Sequence, residues 1–220
     1  MSERPPLDAL DVYRATCMLL SDQPKAPVDA LLFHAKANGD QRGLIEFVAS
    51  EQRRGLAQYI AINGSAGEAL GGTTPGEAWP GAVEYTNQLC FLGVPPEAII
   101  CTRPAFHTRD ENDAFLALAR ERSWRRVAIV THPHQILRAF LGMVRAMGDA
   151  PLVVYAQTPP HTNWSIVVFG SQGAEAMTRR EHIHAEFKRI AAYQAKGDLA
   201  EFWQLHEYLG ERAHMERSAR

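Results

Sequence analysis

The sequence is short of most features that would mark an unusual class of protein. Cysteine is scarce, since Cys17, Cys90 and Cys101 form an odd, widely separated set with no Cys-x-x-Cys pair. That pattern excludes a disulfide framework and fits a reducing compartment. Long apolar runs are missing too, for none approaches the ~18 residues needed to cross a bilayer. The opening Met1-Ser2-Glu3-Arg4-Pro5-Pro6 leads into Asp8, Asp11 and Arg14 rather than into the apolar region of a signal peptide. The expectation is a soluble, cytoplasmic protein with no membrane partner. Neither sign of charge is in excess: 23 Lys+Arg against 25 Asp+Glu gives a formal charge of −2. Nothing in that balance offers a broad basic face to nucleic acid. Internal repeats and low-complexity segments are also absent.

What is present is 220 residues, 46% of them apolar, enough for one large domain with a full core. Leu10, Tyr13, Cys17 and Leu20 recur every three or four residues and draw one stripe along a helix over 7–20. Short apolar runs follow at 28–33, 58–62, 98–101, 127–130, 152–155 and 164–169, as expected of strands buried on both faces. Helical patterns separate them at 41–54, near Trp79 with Pro80 in the first turn, at 108–122 and at 136–147. Such alternation predicts an α/β fold, a mainly parallel sheet wound on both sides. The expected divisions are an N-terminal helix packed on the core (1–25), the α/β domain (26–178) and a helical C-terminal cap (179–220) broken at Gly197.

In an open α/β sheet, ligands bind beyond the carboxyl ends of the strands, where helix N-termini also present N–H groups. The residues that follow each run are therefore the candidates. They are His34 to Gly39, Asn63-Gly64-Ser65, Pro104 to Thr108 with Glu111 and Asn112 one turn on, Thr131 to His134 with Arg138 one turn on, and Gln157 to His161. Five of the nine histidines fall in this set. Thr108 and Glu111 also fit a Thr-x-x-Glu capping box, which would explain both without a ligand. Asn112, a poor helix former inside a helix, is less well explained that way. Arg138 suits a carboxylate or phosphate, or else a salt bridge to a neighbouring helix.

Several common chemistries lack their motifs. The segment with Gly64, Gly67, Gly71, Gly72 and Gly76 is neither Gly-x-Gly-x-x-Gly nor a Walker sequence, and reads as a mobile loop or lid. No Gly-x-Ser-x-Gly elbow occurs, which disfavours acyl transfer through a serine. His132-Pro133-His134 is a His-x-His pair with no third ligand fixed by spacing, so no metal is assigned.

Several of these stretches, taken in order over 28–145, resemble the YdcF-like family, the group that includes SanA and ElyC. They are Val28 to Phe33, Ile60 to Gly64, Leu92-Gly93-Val94-Pro95 leading to Ile99-Ile100, Thr108-Arg109-Asp110-Glu111-Asn112, and Val127 to Thr131 running to Arg138-Ala139. The tail 186–198 is similar to the helical end of soluble members. Two positions depart from the family pattern: His34-Ala35-Lys36 stands where a Gly-Gly turn is usual, and Gln135 where many members carry His. The resemblance implies a Rossmann-like fold and a nucleotide-like ligand such as S-adenosylmethionine. Carried onto this chain, it points to Asn63, Gly64, Thr108, Asn112, Thr131 and Arg138 as ligand-binding residues. Imidazole titrates near neutrality, so His107 and His134, with Glu111, are the expected proton-transfer residues. The reading favours an enzyme that takes a small molecule and leaves its reaction and oligomeric state open. Its alternatives are a metal-assisted hydrolase of a phosphorylated or glycosylated molecule, using His132, His134, His161 and Glu111, and a non-catalytic interaction protein.

Overall fold

A computed structural model of the chain describes residues 8–34, 40–67, 80–169 and 176–218. Five short strands form one parallel sheet: β1 (Val28–Phe33), β2 (Ala57–Ile62), β3 (Ile99–Cys101), β4 (Arg126–Val130) and β5 (Val153–Gln157), in the order β3-β2-β1-β4-β5. The connecting helices are α2 (Arg42–Arg53), α3 (Gly81–Phe91), α4 (Thr108–Glu121) and α5 (Ile136–Met147). This is the Rossmann-like α/β architecture that the alternating runs predict.

Apolar side chains on successive strand residues serve two cores, one on each side of the sheet. Leu31, Phe33, Ile60, Ile62 and Val130 pack with Leu44, Val48, Tyr85 and Leu89 of α2 and α3. Ala30, Leu32, Ala61 and Ile129 pack with Phe115 of α4 and Phe140 of α5. The same second layer takes Leu19 of α1 (Ala9–Leu20), Ile190 of α6 (Arg179–Ala195), and Leu205 and Tyr208 of α7 (Phe202–Ser218). The C-terminal helices therefore share the core of the sheet. Gly197 adopts a positive φ of 75° between α6 and α7, at the break expected from the sequence.

The run 164–169 departs from a sixth strand of this sheet. Only Val167–Phe169 is extended, as β6, and it pairs antiparallel with β7 (Ala176–Thr178) in a separate ribbon. The ribbon leads directly into α6, whose N-terminus carries a true capping box of Thr178 and Glu181. The glycines and Trp79 of 68–79, together with Lys36 and Gly39, lie outside the described residues. Among the described residues, no helix is long and apolar enough to cross a membrane.

β5 is an edge strand, and its outer backbone groups need partners. Tyr208 accepts from the amide of Val154 (2.6 Å), and Asp22 accepts from that of Ala156 (2.8 Å). Arg212 clamps both Asp22 oxygens at 2.8 Å and also donates to the Val154 carbonyl (2.6 Å). Asp22 and the Arg212 side chain are largely buried, so removing the carboxylate strands a guanidinium and an amide together. Asp22→Ala is expected to cost about 3–5 kcal/mol, the usual consequence of breaking a buried ion pair on one side, with Asp22→Asn losing less. Urea denaturation followed by circular dichroism measures the difference.

Candidate functional site

The strand order places a switch between β1 and β4. β1 continues toward α2 on one face and β4 toward α5 on the other, so the chain diverges at their carboxyl ends. Ligands of open α/β sheets bind in the crevice such a divergence leaves.

His34 is the first residue past β1, fixed by a 3.1 Å bond from its amide to the Val130 carbonyl of β4. Its side chain is 2% exposed. Nδ1 lies 2.9 Å from Oε2 of Glu111, on the first turns of α4. A carboxylate only accepts, so Nδ1 donates, and in the neutral ring Nε2 then carries the lone pair. Nε2 has no hydrogen-bond partner among the described residues.

Asn63, the first residue past β2, holds this pair in place. Its Oδ1 accepts from the Ser65 amide (3.0 Å), the Ser65 hydroxyl (2.8 Å) and the Ala105 amide (3.1 Å). Its Nδ2 donates to the Ala105 carbonyl (2.8 Å) and to Oε1 of Glu111 (3.3 Å). One side chain thus ties the ends of β2 and β3 to the carboxylate that orients His34. Gly64 allows the approach, since a Cβ there would lie 2.1 Å from the Thr102 carbonyl oxygen.

The Thr108–Glu111 capping box, one of the two readings the sequence allows, does not form. His107 is the N-cap, its Nδ1 accepting from the Asp110 amide (3.2 Å), and Thr108 is the first helical residue. Glu111 is released to serve His34. The His107 side chain is 55% exposed and stands apart from the Asn63–Glu111–His34 network.

Arg138 makes the salt bridge that the sequence left as its alternative. Nε donates to Oε2 of Glu186 on α6, Nη2 to Oε1 (3.3 Å), and Nη1 to the Thr108 hydroxyl (3.3 Å). Arg189 also reaches Glu186, at 2.6 Å. Burial would push the Glu186 carboxyl upward, but the two guanidiniums outweigh it and hold its pKa below the ordinary range. All three nitrogens of Arg138 are engaged within the protein.

A second imidazole follows β4. His132, also 2% exposed, places Nε2 at 2.7 Å from the Asp40 carbonyl and 3.2 Å from Asp40 Oδ1, while its Nδ1 has no partner among the described residues. Arg179, the first residue of α6, donates from Nε to the same Oδ1 (2.8 Å) and from Nη2 to the Asp40 carbonyl (3.2 Å), with Nη2 in ion-pair range of Oδ1 at 2.7 Å. Burial raises the Asp40 pKa, but the hydrogen bond and charge of His132, followed by those of Arg179, hold it far below the usual carboxylate range. The His134 ring stacks between His132 (5.6 Å) and His182 (5.8 Å), with Trp164 edge-on at 6.3 Å.

Of the residues expected from the sequence, Asn63, Gly64 and Glu111 gather around His34, and Thr108 meets Arg138. Thr131 is fully buried, and its hydroxyl lies 3.2 Å from Gln135 Oε1. Asn112 is buried between α4 and α5 beside Gly142, where a Cβ would come to 3.0 Å from its Nδ2. His161 is exposed. Among the described residues, no group of three or more His, Cys, Asp or Glu is arranged to hold a metal ion. The sequence reading gave His34 no role, and it overlooked Asp40, Arg179 and Glu186. His34 carried a signal, as the residue immediately past the first strand; the others join across 48 to 139 positions.

The site and sheet define a Rossmann-like α/β protein compatible with binding a small molecule. No protein-family model matches the chain, and no curated protein matches its sequence.

The depressed Asp40 carboxyl sets a pH dependence. A group whose folded pKa is lowered contributes stability that is complete above its unfolded pKa, about 4 for aspartate, and is lost as pH falls below it. Asp40→Asn is expected to lie below the parent by about 3 kcal/mol at neutral pH. The gap should close as the pH drops below about 4, because only the parent has that carboxylate to protonate. Denaturant titrations of both proteins from neutral to acid pH read this directly.

Proposed function

We propose that the protein is an enzyme that binds a small, polar, nucleotide-like molecule between the carboxyl ends of β1 and β4, with His34 as its proton-transfer residue. The observation that carries this reading is Nε2 of His34, which has no partner among the described residues. That atom belongs to a 2% exposed side chain whose other nitrogen is held by Glu111. A buried polar atom with no partner costs about 1–3 kcal/mol, and a bound molecule supplying a hydrogen-bond donor or an acidic proton removes that cost. The tautomer fixed by Glu111 is the one that leaves Nε2 basic, as general base catalysis requires.

Glu111 and Asn63 act as positioning residues, and Arg138 holds the first turn of α4 against α6. His34 thus takes the proton-transfer place that the sequence reading gave to His107 and His134. The resemblance of 28–145 to the YdcF-like family supports S-adenosylmethionine as the ligand to test first, with Asn63-Gly64, Thr131 and the start of α4 as its surroundings.

Isothermal calorimetry with S-adenosylmethionine, S-adenosylhomocysteine and adenine nucleotides tests the proposal. His34→Asn is the informative variant, because its amide can still donate to Glu111 as Nδ1 does while Nε2 is lost. Saturable one-to-one binding of one of these compounds, weakened about tenfold or more in the variant, is expected for the loss of a buried hydrogen bond. Binding that the variant leaves unchanged, or no binding of any of the compounds, would overturn it.

A further inference from the structure

We infer that α6 is a strap that opens: its polar inner face latches it across the carboxyl ends of β1 and β4, and the site's ligand enters when that latch lets go. The inference rests on the proposed site only for what the opening admits; the opening itself is read from α6.

An amphipathic helix normally turns its apolar stripe to the core. α6 does the reverse. Its buried residues are Arg179, His182, Glu186, Ile190 and Gln194, three or four apart along one face, and only Ile190 among them is apolar. Ile183 and Phe187 are instead 38% and 41% exposed. Every other α-helix buries more apolar side chains than this. Even the short α3 buries Tyr85 and Leu89, and α7, nearer the C-terminus, buries Phe202, Leu205, Tyr208 and Leu209.

Polar contacts fasten the inner face along its length. Arg179 binds Asp40, just ahead of α2. His182 stacks on His134, which follows β4, and donates from Nε2 to the Val168 carbonyl (3.2 Å), tying α6 to its own ribbon. Glu186 binds Arg138 of α5, whose Nη1 also holds Thr108 at the start of α4. Gln194 donates to the Ala200 carbonyl (2.8 Å) beyond the turn. The first and third of these latches stand at the starts of α2, α4 and α5, so α6 crosses the edge where the strands end.

Water competes for all of these contacts. When α6 lifts away, both members of each ion pair regain hydration, and little apolar surface is exposed with them. Apolar packing has no such substitute, which makes α6 the helix most easily released. Its ends permit the movement: a short antiparallel ribbon outside the main sheet precedes it, and Gly197 follows it. The site itself requires a movement. His34, Asn63, Thr131 and Asp40 are each at most 4% exposed, so a nucleotide-sized molecule reaches them only after something opens.

Hydrogen exchange of the full chain, followed by mass spectrometry, tests this. Amides of α6 are expected to exchange about tenfold or more faster than those of both α5 and α7. Fraying from the C-terminus gives the opposite order, with α7 ahead of α6. Glu186→Gln, which removes the charge of one latch, should speed exchange in α6 by about another tenfold and leave α7 unchanged. Exchange of α6 no faster than that of α5 or α7 would overturn the inference, and so would a folded Glu186→Gln protein in which α6 exchanges as in the parent. If that variant does not fold, the parent's ranking decides alone. Calorimetric binding of S-adenosylmethionine with α6 exchanging in step with α5 would sink only the strap, and fast exchange of α6 without binding of any compound only the proposed ligand class.

Discussion

The arrangement of the site depends on one topological constraint, the reversal of crossover direction between β1 and β4. Right-handed crossovers send the chain after β1 and β2 to one face, and after β3 and β4 to the other. Adjacent strand ends at the centre of the sheet therefore part company, and the side chains there have no covering helix of their own. They must find partners on elements that arrive from elsewhere. His34 finds one on α4, and His132 finds one just before α2. Two imidazoles on neighbouring strands are thereby held from opposite layers without competing for one carboxylate.

Buried charge does the fastening. Arg138, Arg179 and Arg212 reach carboxylates 48, 139 and 190 residues away in the chain. Such pairs add little net stability compared with apolar packing, but a lone buried charge is severely unfavourable, so each pair admits very few alternative arrangements. Their placement is informative. Arg138–Glu186 and Arg179–Asp40 join α6 to the two sides of the switch, and Arg212–Asp22 closes α7 over the edge of β5. Apolar residues of α7 complete the second core. Within α6, Arg179 sets the charge beside His132 by binding Asp40.

The fold was largely legible because burial on both faces leaves a plain signature. Runs such as Leu31-Leu32-Phe33 and Val127 to Val130 are apolar without alternation, as parallel central strands must be. The run 164–169 misled for the same reason: an apolar stretch is compatible with a ribbon lying beside the sheet, and only the partner strand decides. The polar edge of the sheet followed from the fold, and Asn63 and Glu111 meet there. Roles within it were not readable. Thr108 and Glu111 match a capping box in sequence, yet His107 has the extended backbone of an N-cap and a ring nitrogen that reaches the Asp110 amide. Arg138 offered two readings, and Glu186, 48 residues on, selects between them in space. His34 stood among the candidates without a role because its partner, Glu111, lies 77 positions downstream.

The polar groups at this edge also explain why the familiar phosphate motifs are absent from the sequence. A pyrophosphate cradle is made of backbone amides and needs glycine for close approach. At the described ends of β1, β2 and β4 stand His34, Asn63, Thr131 and His132 instead, and the close approach that Gly64 allows is to the Thr102 carbonyl. Amides at a helix start hold an anion without exchanging protons. An imidazole with one nitrogen committed to a carboxylate presents the other in a defined protonation state, which suits a reacting group better than a resting charge. Two such nitrogens, buried and without a partner among the described residues, each cost about 1–3 kcal/mol.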